Sequence, residues 1–451
     1  MQTDLFGNQT SLDSPEALAA WNALQRRFMA HGADVPDHLA ATLTAAPDFA
    51  LAHAAKGMFM LMLGRRELVQ TARDALADAQ AGHADTDRER AYIAALADWL
   101  SGAPAQAARR IEDAAAAHPG DALALKISHA IRFILGHREA MLSVLDTALP
   151  RIGADHAAQG YLLGCHAFAL EENGHYAAAR RAGESGLDMA GDDAWGLHAV
   201  AHVHDMTGDS RGGLAWLDGK ESAWTHCNNF RFHVWWHKAL MHLDQGDHAL
   251  VLDLYDHKIR HEHTDDYRDI SNATSLLMRL ELDGIDVGDR WDELADLSER
   301  RAGDGCLVFA DLHYLLGLVG GDRAAAQHML VQRIIADGAR SESETDAVFA
   351  HPGAAAAQGL EAFGAGDYAT AFDRLATARP AMQTIGGSHA QRDVFDRITI
   401  DAGIRAGRLD RAAALLCDRQ ARRGGTQDSF TERRRAMIDD LRGPALAVPA
   451  Q

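Results

Sequence analysis

Two pairs of histidines stand four residues apart, His198 with His202 and His233 with His237. That spacing projects both imidazoles of a pair from one helical face, which is how a helix offers nitrogen ligands to a single metal ion. Asp205 follows His202 on the same stripe, whereas His204 points to the far side. Asp244 returns to the face of His233, and Trp236 borders the second pair. Further along, Asp269, Ser271, Asn272 and Ser275, and then Asp311 and His313, interrupt apolar helical segments in the same way. Burying several titratable groups together is costly unless a ligand, an ion or a water network satisfies them. The spacing therefore predicts a sheltered pocket. Two chemistries fit it. A neutral histidine among His198, His202, His233, His237 and His313, oriented by Asp205 or Asp311, would act as general base in a hydrolysis. Alternatively, His198, His202, His233 and His237 would hold a divalent metal cofactor. No glutamate follows the first histidine of either pair, so the zinc-protease motif is absent. Satisfied imidazoles in a packed groove are the plain structural alternative.

A second constellation is Gly386, Gly387, Ser388, His389, Ala390, Gln391, Arg392, Asp393. Ser388 and Gln391 have capping-box spacing, which places backbone N–H groups and Arg392 at a helix start behind a flexible Gly-Gly. Such a terminus attracts carboxylate or phosphate. Ligand-binding roles are thus expected for Trp236, Asp269, Asn272, Ser388, Gln391 and Arg392. The plain alternative is a capped helix with a surface arginine.

The elements that must carry these residues are helical hairpins. Stretches rich in Ala and Leu end at a glycine and resume at once, with joint glycines at Gly64, Gly102, Gly136, Gly174, Gly208, Gly246, Gly284, Gly321, Gly366 and Gly407. Recurrence at about 34 to 45 residues means a helical array. The segment from Ala357 to Pro380 follows the tetratricopeptide layout through Gly359, Phe363, Gly366, Asp367, Tyr368, Ala371 and Leu375. Strand alternation is nearly absent. The expected fold is all-α, a right-handed tetratricopeptide-like solenoid of about ten helix pairs closed around a central pocket, with the first helix of each pair facing inward. It would form a single domain over residues 1–442, with a flexible tail at 443–451. Residues 1 to about 15 read as a loose end, with Asp13, Ser14 and Pro15 as the first N-cap signal.

Composition narrows the partners. Among 451 residues, 47% hydrophobic content allows a large core, and a net charge of −20 argues against nucleic acid and anionic membranes. No apolar run reaches the roughly 20 residues that span a bilayer, and the start lacks a signal-peptide layout, so the chain reads as cytoplasmic. Cys165, Cys227, Cys306 and Cys417 are scattered and read as buried reduced thiols. Arg433, Arg434 and Arg435 read as a solvated face, and Met58, Met60 and Met62 as core. No P-loop, dinucleotide fingerprint or nucleophile elbow is present.

The segments HAVAHVHDM from His198, FHVWWHKAL from Phe232, DISNATSLLMRLEL from Asp269, FADLHYLLGL from Phe309 and GGSHAQRDVF from Gly386 resemble the tetratricopeptide repeat protein 38 family, over about Ser14 to Leu416. The resemblance implies a divergent helical-repeat fold and no defined activity; Met278 stands where the family pattern has Trp. Three roles compete: a pocket for a small polar or anionic molecule with hydrolysis as an option, a scaffold holding a partner peptide in its groove, and a homo-oligomeric structural protein.

Overall fold

Short oxygen-bearing side chains open many of the helices. Ser14, Asp121, Asp193, Asp209 and Asp367 each accept a hydrogen bond from a backbone N–H of the first turn, and Thr86 with Glu89 closes a full capping box. A computed structural model of the chain describes residues 1–443; the expected tail lies, beyond Gly443, outside the described residues. A two-residue hairpin, β1 (Gln2–Thr3) with β2 (Gln9–Thr10), precedes the helices. These are α1 (Pro15–Met29), α2 (Val35–Ala45), α3 (Ala50–Met62), α4 (Arg66–Ala81), α5 (Asp87–Leu100), α6 (Pro104–Ala117), α7 (Ala122–Ile134), α8 (Arg138–Ala148), α9 (Gln159–Glu172), α10 (Tyr176–Met189), α11 (Ala194–Met206) and α12 (Ser210–Leu217). They continue with α13 (Phe230–Gln245), α14 (His248–Leu254), α15 (Tyr267–Leu282), α16 (Arg290–Arg301), α17 (Val308–Gly320), α18 (Ala324–Arg340), α19 (Glu344–Val348), α20 (Ala354–Gly364), α21 (Tyr368–Ala378), α22 (His389–Arg405), α23 (Leu409–Arg422) and α24 (Ser429–Arg442).

Consecutive helices pair as antiparallel hairpins, α1 with α2 through α17 with α18, then α20 with α21 and α22 with α23, so eleven hairpins stand among the described residues. The fold is an all-α helical-repeat solenoid. Small residues set the close packing inside hairpins: a Cβ at Gly359 would sit 2.6 Å from Leu375, and one at Gly186 2.7 Å from the carbonyl of Gly160. Nine of the ten joint glycines take positive φ. The exception is the joint after α17, where Gly321 is right-handed and Asp322 takes the left-handed conformation at φ 54°.

The array coils until early hairpin tips meet late repeats. Arg65 pairs with Asp265 at 2.5 Å, and Arg301 with Glu67 at 2.7 Å. The carbonyl of Gly102 accepts from Glu344 N (3.0 Å), and that of Gly136 from Gln383 Nε2 (3.0 Å). The loop after α1 bonds to the segment before α13 through Ala33 N to His226 O (3.1 Å) and Asn228 N to His31 O (2.8 Å). These contacts enclose the space on which the inner helices converge.

Three expectations change here. The first 15 residues are tied down: Asp4 is buried 3.5 Å from Arg88, Phe6 is core, and Asn8 Nδ2 donates to Gly120 O. Arg434 is not solvated; it is buried between Asp401 (2.7 Å) and Asp283 (2.9 Å). Cys417 is exposed and Cys306 half-buried, whereas Cys165 and Cys227 are buried. No helix is long and apolar enough to cross a membrane among the described residues.

Candidate functional site

The inward faces of α1, α3, α7, α9, α11, α13, α15, α17 and α22, with α2 at one side, enclose a cavity of about 790 Å³. Its wall is chiefly aliphatic and aromatic, including Leu39, Phe59, Phe133, Phe168, Trp195, Phe230 and Phe309. Met60 and Met62 line it, so only Met58 of that run is deep core. Among the predicted site residues, His198, His233, Ser388 and Gln391 reach this wall.

Behind the wall, α11 and α13 bring all four paired histidines together. His198 Nε2 lies 2.8 Å from His202 Nε2 and 3.1 Å from His233 Nε2, and His233 Nε2 lies 3.2 Å from His237 Nε2. All four rings are buried. Burial first, then the neighbouring imidazoles, holds His198 and His237 well below the usual histidine range. Burial takes His202 down to about 3 and His233 to about 4. His233 Nδ1 faces Asn272 Oδ1 at 2.9 Å, and Trp236 stacks on the same ring with centroids 5.2 Å apart. Neutral imidazoles with gathered Nε2 atoms are suited to a cation.

The expected carboxylate orienters lie elsewhere. Asp205 pairs with Arg423 at 3.0 Å, and Asp311 with Arg333 at 2.6 Å, so neither reaches a histidine of the cluster. Burial still pushes Asp311 up to about 7 against the pull of Arg333. His313 is separate: its Nδ1 donates to Phe309 O at 2.7 Å, and burial brings it down to about 3. Asp269 accepts from Asn229 Nδ2 at 2.6 Å and from the Thr264 hydroxyl. The carboxylate nearest the cluster is Glu171, on α9, with Oε2 3.5 Å from His202 Nδ1, and Glu172 also lies within 4.8 Å of His202. Periodicity on α11 and α13 alone gave no sign of it.

The capping box at α22 forms as the spacing predicts: Gln391 N donates to Ser388 Oγ and Ser388 N to Gln391 Oε1. Arg392, however, is no free anion clamp. Its guanidinium is buried and occupied by Glu172 (3.2 Å), Gln383 Oε1 (2.7 Å) and the carbonyls of Gly386 and Gly387. Glu172, also buried, receives His389 N at 2.7 Å. Burial would raise this carboxyl, but His389 and Arg392 outweigh it and hold it below its ordinary value.

The cavity's unpaired basic groups are residues that no motif in the sequence singles out. Lys126, on α7, is 4% exposed and lines the cavity; its Nζ lies 3.7 Å from Cys165 Sγ and 5.2 Å from the centre of the Trp195 ring. No carboxylate lies within ion-pair distance of Lys126 or Lys56 among the described residues, while Arg268 and Arg65 at the same wall are paired with Asp266 and Asp265. His129 and His31 complete this side, both held low by burial first and Lys126 second. A signal did exist. Lys126 stands ten residues before Gly136, as His198 stands ten before Gly208.

No family model matches the chain. Solved structures similar to it include the human IFIT1 dimer with PPP-AAAA, at 12% identity, 97% coverage of both chains and a TM-score of 0.42. The human IFIT1 dimer with m7Gppp-AAAA matches at 11% identity, the same coverage and a TM-score of 0.39. The oligonucleotides PPP-AAAA and m7Gppp-AAAA are ligands of those IFIT1 structures and run against the exclusion of nucleic acid drawn from net charge, which is withdrawn. Net charge is a weak ground for such an exclusion, because a ligand meets the local field before the total, and a chain at −20 still lines its cavity with Lys56 and Lys126.

Proposed function

We propose that the protein is a non-catalytic helical-repeat binding protein whose central cavity takes an elongated, largely apolar molecule with an anionic end. The observation that carries this reading is Lys126, a buried ammonium at an aromatic wall without a carboxylate partner. Such a group is costly to bury unless an incoming anion compensates it. The volume falls within the range usual for small-molecule sites. Ring stacking on Trp195 and Phe230 holds His31 beside the same wall, with centroids 5.3 and 4.8 Å away. The likeness to the tetratricopeptide repeat protein 38 family accords with a helical-repeat binder and adds no chemistry. Hydrolysis is not part of this reading, because the cavity histidines His198 and His233 turn their Nε2 atoms into the cluster and away from a substrate.

A second reading keeps the scaffold role: the anionic end would be the C-terminal carboxylate of a partner peptide. The helical-repeat architecture favours it, since such arrays present an extended inner surface to a peptide. Native mass spectrometry separates the two. Dodecanoate, dodecanol, an apolar hexapeptide with a free C-terminus and the oligonucleotide PPP-AAAA would each be offered at equal concentration. Saturable binding of one dodecanoate per chain, with dodecanol bound weakly, supports the first reading. Preference for the peptide supports the second, and preference for the oligonucleotide or no binding at all rejects both.

A further inference from the structure

The contacts within the histidine cluster cannot all be made by protons. An imidazole Nε2 carries either one hydrogen or one in-plane lone pair. His233 Nδ1 donates to Asn272 Oδ1, so its Nε2 is an acceptor facing both His198 and His237. If His198 Nε2 donates to His233, it has nothing left to offer His202 at 2.8 Å; if it donates to His202, two lone pairs face each other at 3.1 Å. One cation at the centre removes this conflict, because all four lone pairs then point at positive charge. Four nitrogens about 2.0 to 2.1 Å from a tetrahedral zinc ion would be separated by roughly 3.3 Å, close to the 2.8 to 3.2 Å of the three Nε2 pairs in contact here, and one nitrogen of each ring lies within 4.8 Å of the others.

The surroundings complete such a site. Phe168 stacks on His198 with centroids 5.7 Å apart, and Trp236 on His233, which packs an aromatic face against one ring of each pair. Asn272 fixes the His233 tautomer in the way that outer-sphere partners of metal-bound histidines do. Glu171 is fully buried with neither oxygen hydrogen-bonded, and it lies 3.5 Å from His202 Nδ1. Its neighbour Glu172 already has Arg392, but Glu171 has no ion-pair partner other than His202 among the described residues. A dication bound by four neutral imidazoles would supply the missing positive charge.

We infer that His198, His202, His233 and His237 bind one divalent transition-metal ion of the zinc class through Nε2, with Asn272 and Glu171 as outer-sphere partners. Four protein ligands leave no position for water or substrate, so the ion is a structural cross-link between α11 and α13 and not a catalytic one. Imidazole ligands favour zinc, nickel, copper or cobalt over calcium and magnesium. This inference stands apart from the cavity ligand, since the ion lies behind the wall.

The test uses full-length protein, stripped with chelator and titrated with Co2+ and then Zn2+, followed by visible absorption and thermal melting. The expected result is one Co2+ per chain with the intense visible bands of tetrahedral cobalt, displaced by Zn2+, and a melting temperature that rises with the metal. His257→Ala, at an exposed histidine, should bind as the wild type does. His237→Ala should lose the bands, and Asn272→Ala should bind about 10- to 100-fold more weakly. In case His237→Ala fails to fold, His202→Cys provides a second readout: it should keep cobalt and add a thiolate-to-cobalt charge-transfer band. Absence of stoichiometric Co2+ binding by the folded wild type would overturn the inference. So would unchanged spectra in folded His237→Ala, or in cobalt-loaded His202→Cys.

Discussion

Lys126 Nζ lies 5.2 Å from the centre of the Trp195 ring, over a cavity wall where it has no carboxylate to pair with. The indole of Trp195 in turn donates from Nε1 to His129 Nε2 at 3.2 Å. A cation, an aromatic face and an imidazole locked as acceptor thus share one end of the enclosed space. Cation–π attraction offsets part of the cost of burying the ammonium, and the proposed anion would offset more.

His129 makes stability depend on pH. Burial, assisted by Lys126, lowers it from an ordinary 6.5 to about 3, so it stays neutral in the fold while the unfolded chain takes up a proton. Stability is therefore greatest above about 6.5 and declines as pH falls toward 3, by up to ~1.4 kcal/mol per unit. In His129→Gln this contribution is absent. Urea unfolding between pH 7 and 4 should show the gap between wild type and variant narrowing as pH falls; a constant gap would contradict the assignment.

Gly136→Ala should destabilise by about 2 to 4 kcal/mol, through overpacking and a left-handed backbone. A Cβ there would collide with the carbonyl oxygen of Gln383, and φ is +67°. Gly174→Ala has a similar left-handed backbone, at φ +80°, but open space around it, so it should cost about 1 kcal/mol. Equal losses in chemical denaturation would mean that the joint of α7 and α8 is not pressed against the late repeats.

Arg392→Ala should leave Glu172 buried with only His389 beside it, with a loss of up to about 3 to 5 kcal/mol. Arg392→Ala/Glu172→Gln should recover much of this. Neither variant should weaken dodecanoate binding as Lys126→Met does. A selective loss of ligand affinity in folded Arg392→Ala would restore the anion-clamp role to that residue.

The repeat architecture was legible because glycine joints recur and each hairpin obeys the same local rules, down to the capping box of Ser388 and Gln391. The convergence of His198, His202, His233 and His237 was legible for the same reason, since i, i+4 spacing on adjacent first helices fixes their face. What each polar group pairs with was not. Asp205, Asp311 and Arg392 were read as inward groups, yet their partners Arg423, Arg333 and Glu172 come from other helices, at separations periodicity does not report. Glu171 carries no sequence signal because it sits at the end of α9, and Lys126 only a weak one because a single lysine in an apolar stretch resembles a solvated side chain.

The central claim is that the enclosed space binds an anion-ended apolar molecule through Lys126. Calorimetric titration of dodecanoate into the wild type and Lys126→Met tests it most directly. The account predicts one site per wild-type chain and about 10- to 100-fold weaker binding in the folded variant, as expected for loss of a buried charge-assisted contact. Equal affinities in the two proteins, or no binding by either, would contradict it.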